Sequence, residues 1–288
     1  MIQATNLTWK PLKNTPALNF RLEPGLTHGL VGKNGIGKTT LLRMIAGQLD
    51  SSGLSVFGQD PFDNRAVMDR TILMGIDAPL VDSWSMKQLL TIGRTRWATW
   101  DEARAEELIA RFNLPNKKYS ALSRGQKSAL GITLAFASGC ELVLLDEPYL
   151  GLDISSREEF YRVLREEQGR RTIVISTHHL DELAGHLDTV LLLGEHPLSG
   201  RVDDLLDAVI EVKGPAEKMA QLKGVAILSR ESTPLGERIL ADARPDRATA
   251  IFAQAAELGL TASEVSLERA ILALEAFSPT EQEVNGSD

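Results

Sequence analysis

Nine residues constrain this chain more than any others: Gly32-Lys33-Asn34-Gly35-Ile36-Gly37-Lys38-Thr39-Thr40. They carry the spacing G-x-x-x-x-G-K-[ST], behind the apolar Gly29-Leu30-Val31 and ahead of Leu41-Leu42-Arg43-Met44-Ile45, which reads as strand, glycine loop and helix. Glycines at 32, 35 and 37 let the backbone curl so that successive N–H groups point inward, and the positive end of the following helix adds to that field. A triphosphate suits such a cradle. In this pattern Lys38 reaches the outer phosphates, Thr39 offers its hydroxyl to Mg2+, and Thr40 hydrogen-bonds a phosphate oxygen farther in.

With 288 residues the chain holds one substantial domain and a small one, but not two nucleotide-binding units. A formal charge of −8 and a pI near 5.3 argue against a life on nucleic acid, which calls for a basic face. The single Cys140 makes no internal disulfide and reads as a small core residue suited to a reducing cytoplasm. The start, Met1-Ile2-Gln3-Ala4-Thr5-Asn6, lacks the basic and apolar regions of a signal peptide. No apolar run approaches the ~18–20 residues needed to cross a bilayer, so any membrane role is expected through a partner.

Residues 1–31 alternate short apolar pieces with turn signals and read as a small β layer. Trp9 in that layer either stacks on a purine or packs at a strand edge. After the loop helix come the strands Leu54-Ser55-Val56-Phe57-Gly58 and Thr71-Ile72-Leu73-Met74-Gly75. From about Ala78 to Ala137 the period turns helical. One helix spans Trp84 to Ile92, a second is capped by Asp101 with Ala105, Leu108, Ile109 and Phe112 on one face, and a third is capped by Ser123. Trp97 and Trp100 seal the start of the second.

Two later strands end in polar residues. Leu142-Val143-Leu144-Leu145 runs into Asp146-Glu147 at the edge where a parallel sheet binds ligands, and the alternation of side chains gives the two carboxylates different tasks. Thr172 to Thr177 ends at His178-His179, where no third ligand stands at useful spacing for a metal pair. One histidine near a γ-phosphate, with its neighbour facing solvent, fits that position better. Asp181, Glu182 and His186 follow on a helix before the strand Leu191-Leu192-Leu193. Farther on, strands at Ala208 to Lys213, Val225 to Ser232 and Arg238 to Ala243, with helices at Pro215 to Leu222 and Asp246 to Leu258, make a β-α-β-β-α unit, a small ferredoxin-like lobe. Ser278 to Asp288 is polar enough to be disordered.

In this order the pieces resemble the nucleotide-binding subunit of ABC transporters over roughly residues 1–205. Gly32 to Thr40 resembles the Walker A motif, Leu122-Ser123-Arg124-Gly125-Gln126 the signature motif, Leu142 to Asp146 Walker B, Gly151-Leu152-Asp153 the D-loop, and His178 the switch histidine. Trp100-Asp101, the signature and Ser176 to Glu182 are most similar to ATPases of bacterial exporters for drugs, peptide antibiotics and envelope-active compounds, and Ser266 to Leu274 resembles their closing helix. The resemblance implies an α/β fold, an ABC-type P-loop domain over 1–204 with a helical subdomain at about 78–137, and a small α+β lobe over 205–277. It implies an ATPase that uses ATP and Mg2+. Glu147, His178 and Lys38 are its expected catalytic residues. Trp9, Gly32, Asn34, Gly35, Gly37, Lys38, Thr39, Thr40, Ser123, Gly125, Gln126 and Asp153 are expected on the nucleotide, and Thr39, Asp146 and Asp77 on the metal.

Two positions depart from the family pattern. Where the family places a glutamine this chain reads Gly75-Ile76-Asp77-Ala78-Pro79, with Asp77 as the candidate substitute, and the second glycine of the signature is Arg124. The implied partners are a second ATPase subunit, identical or not, whose signature serine completes the site, and a transmembrane permease holding the chain on the inner face of the membrane. The permease is expected to dock near Asp77 and the helices from Trp84 to Phe112, against Trp97 and Trp100, with Arg94 and Arg96 supplying charge. The competing expectation is a soluble ABC-type ATPase that remodels nucleic acid or ribosomes without a permease. Such relatives carry tandem domains, coiled coils or basic arms, none of which is visible here.

Overall fold

Alternation of apolar and polar residues builds the first layer. In the computed structural model, which describes residues 1–8, 17–75, 80–233, 236–244 and 247–277, strand β1 (Ile2–Leu7) pairs antiparallel with β2 (Leu18–Leu22) and with β4 (Leu54–Val56). Ile2, Ala4, Leu7, Phe20 and Val56 point into the core. Continuous aliphatic runs build the second layer, as strands covered on both faces require. Strands β3 (Thr27–Val31), β5 (Thr71–Gly75), β6 (Leu142–Asp146), β7 (Thr172–Thr177) and β8 (Thr189–Leu192) lie in the order β5-β6-β7-β3-β8, all parallel.

That order decides where chemistry collects. Because β3 lies beside β7, and β7 beside β6, three carboxyl ends separated widely in sequence finish at one edge: Val31 pairs with Thr177, and Asp146 with Ser176. This is where a parallel α/β sheet offers a ligand crevice.

The helices begin where their caps allow. Helix α1 (Lys38–Ile45) follows the glycine loop, and the four-residue α2 (Arg65–Met68) is capped by Asn64. Helix α3 spans Met86–Arg96 rather than Trp84 to Ile92, because Ser85 and Gln88 form a capping box and Gly93, buried against Trp100, is carried inside the helix rather than ending it. Helix α4 (Glu102–Arg111) is capped by Asp101, α5 (Arg124–Ala137) by Ser123 in a second capping box with Gln126, and α6 (Ile154–Glu167) by Asp153. Charges tie α4 to α6: Arg104 and Arg111 both bond Glu166, Arg104 also reaches Glu167, and Arg111 also reaches Glu159. Cys140 and His28 are buried, and burial pushes the thiol up and the imidazole down. The His28 ring spans Thr189 and the Glu23 carbonyl, as a core histidine does.

Chain contacts divide the protein into two units, Met1–His178 with Gly185–Leu193, and His179–Ala184 with Gly194–Asp288. The second contains α7 (Leu180–Leu183), β9 (Leu198–Arg201), α8 (Val202–Asp207), β10 (Val209–Gly214), α9 (Ala216–Met219), β11 (Ala226–Thr233), β12 (Gly236–Asp242), α10 (Ala248–Leu258), β13 (Thr261–Glu264) and α11 (Leu267–Ala276). Strands β11-β12-β10-β13 form an antiparallel sheet whose apolar face, with Ile210, Val212 and Ile239, packs with Met219, Ile251 and Ala255 of the helices. The β-α-β-β-α sequence therefore gains a closing strand, β13, and the split order of a ferredoxin-like sheet. Thr261-Ala262-Ser263-Glu264 has no apolar run to announce it. Helix α9 is shorter than Pro215 to Leu222, and α7 ends at Leu183, so His186 leaves the helix that carries Asp181 and Glu182 for a 3-10 turn. Residues 278–288 lie outside the described residues. Among the described residues no helix is long and apolar enough to cross a membrane.

Candidate active site

The glycine loop ends in a helix that no side chain caps. Gly37 holds the N-cap position of α1 at φ 108°, a left-handed conformation that side chains resist, so the first N–H groups of α1 are left for a ligand. Asn34, Gly35, Gly37, Lys38, Thr39 and Thr40 line a pocket of about 270 Å³ together with Asp146 and Glu147. Two carboxylates, one at the end of β6 and one just past it, thus share a pocket with the donors at the head of α1.

Lys38 is 7% exposed. Its Nζ donates to the Gly32 carbonyl at 2.7 Å and stands 3.9 Å from Glu147 Oε1, so the cation bridges the loop and the acid. Thr39 Oγ1 donates to Asp146 Oδ2 at 2.6 Å, and Ser176 Oγ donates to Asp146 Oδ1 at 2.5 Å. Ser176 also accepts the Glu147 N–H at 3.0 Å. That bond secures a strained backbone, because Glu147 sits at φ 49°.

Asp146 and Glu147 have different partners because the strand ends at Asp146 and the left-handed backbone of Glu147 turns its side chain toward a different set of groups. Glu147 Oε2 accepts from the Tyr149 hydroxyl at 2.5 Å and lies 2.7 Å from His178 Nδ1. An ionised carboxylate only accepts, so Nδ1 carries the proton in that contact. His178 and His179 are both exposed. Among the described residues no cluster of three or more His, Cys, Asp or Glu is arranged to hold a metal ion. The donors at the loop are instead hard oxygens, the Thr39 hydroxyl and the Asp146 carboxylate, which suit Mg2+.

The remaining expected residues stand apart from this cluster. Ser123 Oγ accepts from Gln126 N–H while Gln126 Oε1 accepts from Ser123 N–H, and Gly125 packs so closely on the turn at Gly151 that a methyl group would lie 2.2 Å from its carbonyl oxygen. Asp153 caps α6, and the hydrogen bonds from Ser156 hold its carboxyl below the usual range. Among the described contacts none joins these residues to the glycine loop. Trp9 and Asp77 lie outside the described residues. The flank expected to receive a partner has a cleft of about 780 Å³ lined by Arg65, Met68, Asp69, Arg94 and Arg96. Its charges are engaged internally, Arg94 with Glu102 and Arg96 with Asp69, and Trp100 Nε1 also donates to Glu102. Trp97 and Trp100 are both half-buried.

Sequence reasoning missed Ser176, Thr177 and Tyr149. Each sat inside or beside a segment already assigned, and the usable signal was the break of an aliphatic strand into Ser176-Thr177. Tyr149, two residues past Glu147, carried no signal at all.

Comparison with known proteins agrees with this geometry. A family model described as ABC transporter matches residues 16–150. The chain is 32% identical over 203 residues to the ABC transporter ATP-binding protein YtrB of Bacillus subtilis (strain 168), covering 68% of this chain and 70% of that protein. It is 29% identical over 280 residues to the daunorubicin resistance ATP-binding protein DrrA3 of Streptomyces coeruleorubidus, covering 90% of this chain and 89% of that one. A solved ATP-binding subunit of an ABC transporter superposes with a TM-score of 0.63 at 22% identity, over 71% of this chain and 91% of that chain, which establishes the shared fold.

Proposed function

This chain belongs to the ABC transporter family as an ATP-binding, ATP-hydrolysing subunit, and from that premise we propose that it powers an exporter of a drug, a peptide antibiotic or an envelope-active compound. The convergence of Lys38, Asp146, Glu147 and His178 around the glycine loop carries the catalytic part of this reading. Similarity to a drug-resistance ATP-binding protein along 90% of the chain, C-terminal lobe included, supports the exporter.

The roles follow from charge and reach. The free N–H groups of α1 and the Lys38 cation bind the β- and γ-phosphates, and Thr40 bonds a phosphate oxygen farther in. Thr39 and Asp146 would hold Mg2+, which would supply charge to neutralise the phosphates. Glu147 Oε1 orients the attacking water and accepts its proton while the bond from the γ-phosphorus to the ADP oxygen breaks. His178, exposed at the rim, turns from Glu147 to steady the γ-phosphate. The signature residues Ser123 and Gln126, bonded to each other, and Gly125, packed on Gly151, serve the site of a second ATPase subunit, and Asp153 connects the two sites. Trp9 and Asp77 remain proposed contacts to the purine and to the metal. A transmembrane permease seated on the cleft beside α3 holds the complex on the inner face of the membrane.

The test is Glu147→Gln. MgATP binding should persist while hydrolysis falls roughly 10²- to 10⁴-fold, the usual worth of a positioned base. Hydrolysis at the unaltered rate removes Glu147 from the mechanism. Purification from the native host with only soluble or ribosomal partners removes the permease.

A further inference from the structure

Tyr149 belongs to none of the motifs that carry the chemistry, yet its hydroxyl lies at the centre of their hydrogen bonds. It is 2% exposed. The phenol oxygen lies 2.5 Å from Glu147 Oε2 and 2.8 Å from Thr177 Oγ1, and it accepts the His178 N–H at 3.1 Å. A phenol has one proton to give, and the carboxylate can only accept. The proton therefore goes to Glu147, and Thr177 donates to Tyr149. Burial, helped by Glu147 itself, pushes the phenol well above its usual range, so the group stays a neutral donor.

The two donors to Glu147 Oε2 differ in freedom. The His178 side chain is 37% exposed and has room to swing, whereas the Tyr149 ring is enclosed. The backbone around the ring is also pinned: Leu150 N–H donates to the Glu147 carbonyl, Leu152 N–H to the Tyr149 carbonyl, and Ser128 Oγ to the Leu150 carbonyl at 2.7 Å. A left-handed, strained Glu147 is held at its N–H by Ser176 and at its far oxygen by Tyr149, which leaves Oε1 facing Lys38 and the pocket.

We propose that Tyr149 is a positioning residue for hydrolysis: its hydroxyl holds Glu147 Oε2 so that Oε1 stays presented to the water when His178 turns to the phosphate. The inference rests on the reading of Glu147 as the residue that activates water. It treats His178 as the donor that leaves and Tyr149 as the donor that remains.

The experiment is a double-mutant cycle on the full-length chain, reading steady-state MgATP hydrolysis. Tyr149→Phe keeps the ring and deletes one charge-assisted bond, so kcat should fall about 10-fold while KM for MgATP moves less than about 2-fold. In the Glu147→Gln background the same substitution should change the residual rate by less than about 2-fold, because its route of action is already lost. In a His178→Ala background the effect of Tyr149→Phe should persist in full. An unaltered kcat in Tyr149→Phe beside an inactive Glu147→Gln overturns the positioning role and leaves the Glu147 reading standing. An equal loss in the Glu147→Gln background also overturns it, since Tyr149 then acts by another route. A fully active Glu147→Gln overturns both. If Tyr149→Phe does not fold, Thr177→Val deletes the donor that orients the phenol at nearly constant volume. It should lower kcat about 2- to 5-fold at constant KM, and an unaltered kcat there refutes the proposal.

Discussion

Replacing Ser176 by alanine removes one oxygen and separates the two acids from their common anchor. Ser176 is fully buried, donates to Asp146 Oδ1 at 2.5 Å and accepts the Glu147 N–H at 3.0 Å. Solvent reaches the half-buried Asp146, which keeps its bond from Thr39, so this part of the loss lies at the lower end for a bond to a charged group, about 1.5 kcal/mol. The Glu147 N–H is left facing the space of the fully buried Ser176 side chain, and an unpaired donor there costs about 1–3 kcal/mol. Together the change should destabilise the unit that carries β7 by about 2.5–4.5 kcal/mol, which for a unit of this size lowers its melting temperature by about 5–18 °C. Hydrolysis should weaken as well, because the left-handed backbone of Glu147 is no longer held. Differential scanning calorimetry of Ser176→Ala beside the unaltered chain reads the first quantity, and MgATP turnover reads the second. A melting shift below about 1 °C would refute the reasoning, since it would mean that the shared anchor contributes nothing that water does not replace.

Two further predictions rest on other parts of the fold. The Arg111 guanidinium, with help from Arg104, holds the Glu166 carboxyl down at about 2, from an ordinary value of 4.5. A carboxyl depressed in the folded state contributes stability above its unfolded value and loses it as pH falls through the folded one. Between about pH 4.5 and 2, therefore, Glu166→Gln should unfold with a flatter pH dependence than the unaltered chain, followed by circular dichroism during acid titration; identical titration curves would count against the α4 to α6 ion pairs. In Gly125→Ala the new methyl would lie 2.2 Å from the Gly151 carbonyl oxygen, a backbone atom with no easy escape. The head of α5 must shift, and a displacement on the scale of an ångström should lower hydrolysis about 10- to 100-fold with α5 still helical; full activity would show that this close approach is not needed.

Local chemistry made much of the site legible from residues alone. The glycine loop, the strand ending at Asp146-Glu147, and the caps at Asp101 and Ser123 are each specified within a few residues, because phosphate cradles, buried strands and helix starts are short-range patterns. Local pattern ran short where a segment had no apolar signal, as with β13, and where a helix outran its expected end, as with α3. Asp77 rests on the family pattern and Trp9 on an aromatic side chain in the first β layer, and both fall outside the described residues.

What the sequence determined by itself was therefore the inventory: a phosphate loop, two acids with different tasks, and a histidine at the end of a strand. Only the tertiary structure decided which oxygen of Glu147 faces the pocket and what holds it there. Parallel pairing of β3, β6 and β7 brings Ser176 to Asp146 and Glu147, and Tyr149 to Thr177 and His178, across 28 to 30 residues of chain. Hydrogen bonds at that separation leave no periodicity in a sequence, because they depend on the order and register of strands rather than on spacing within any one of them.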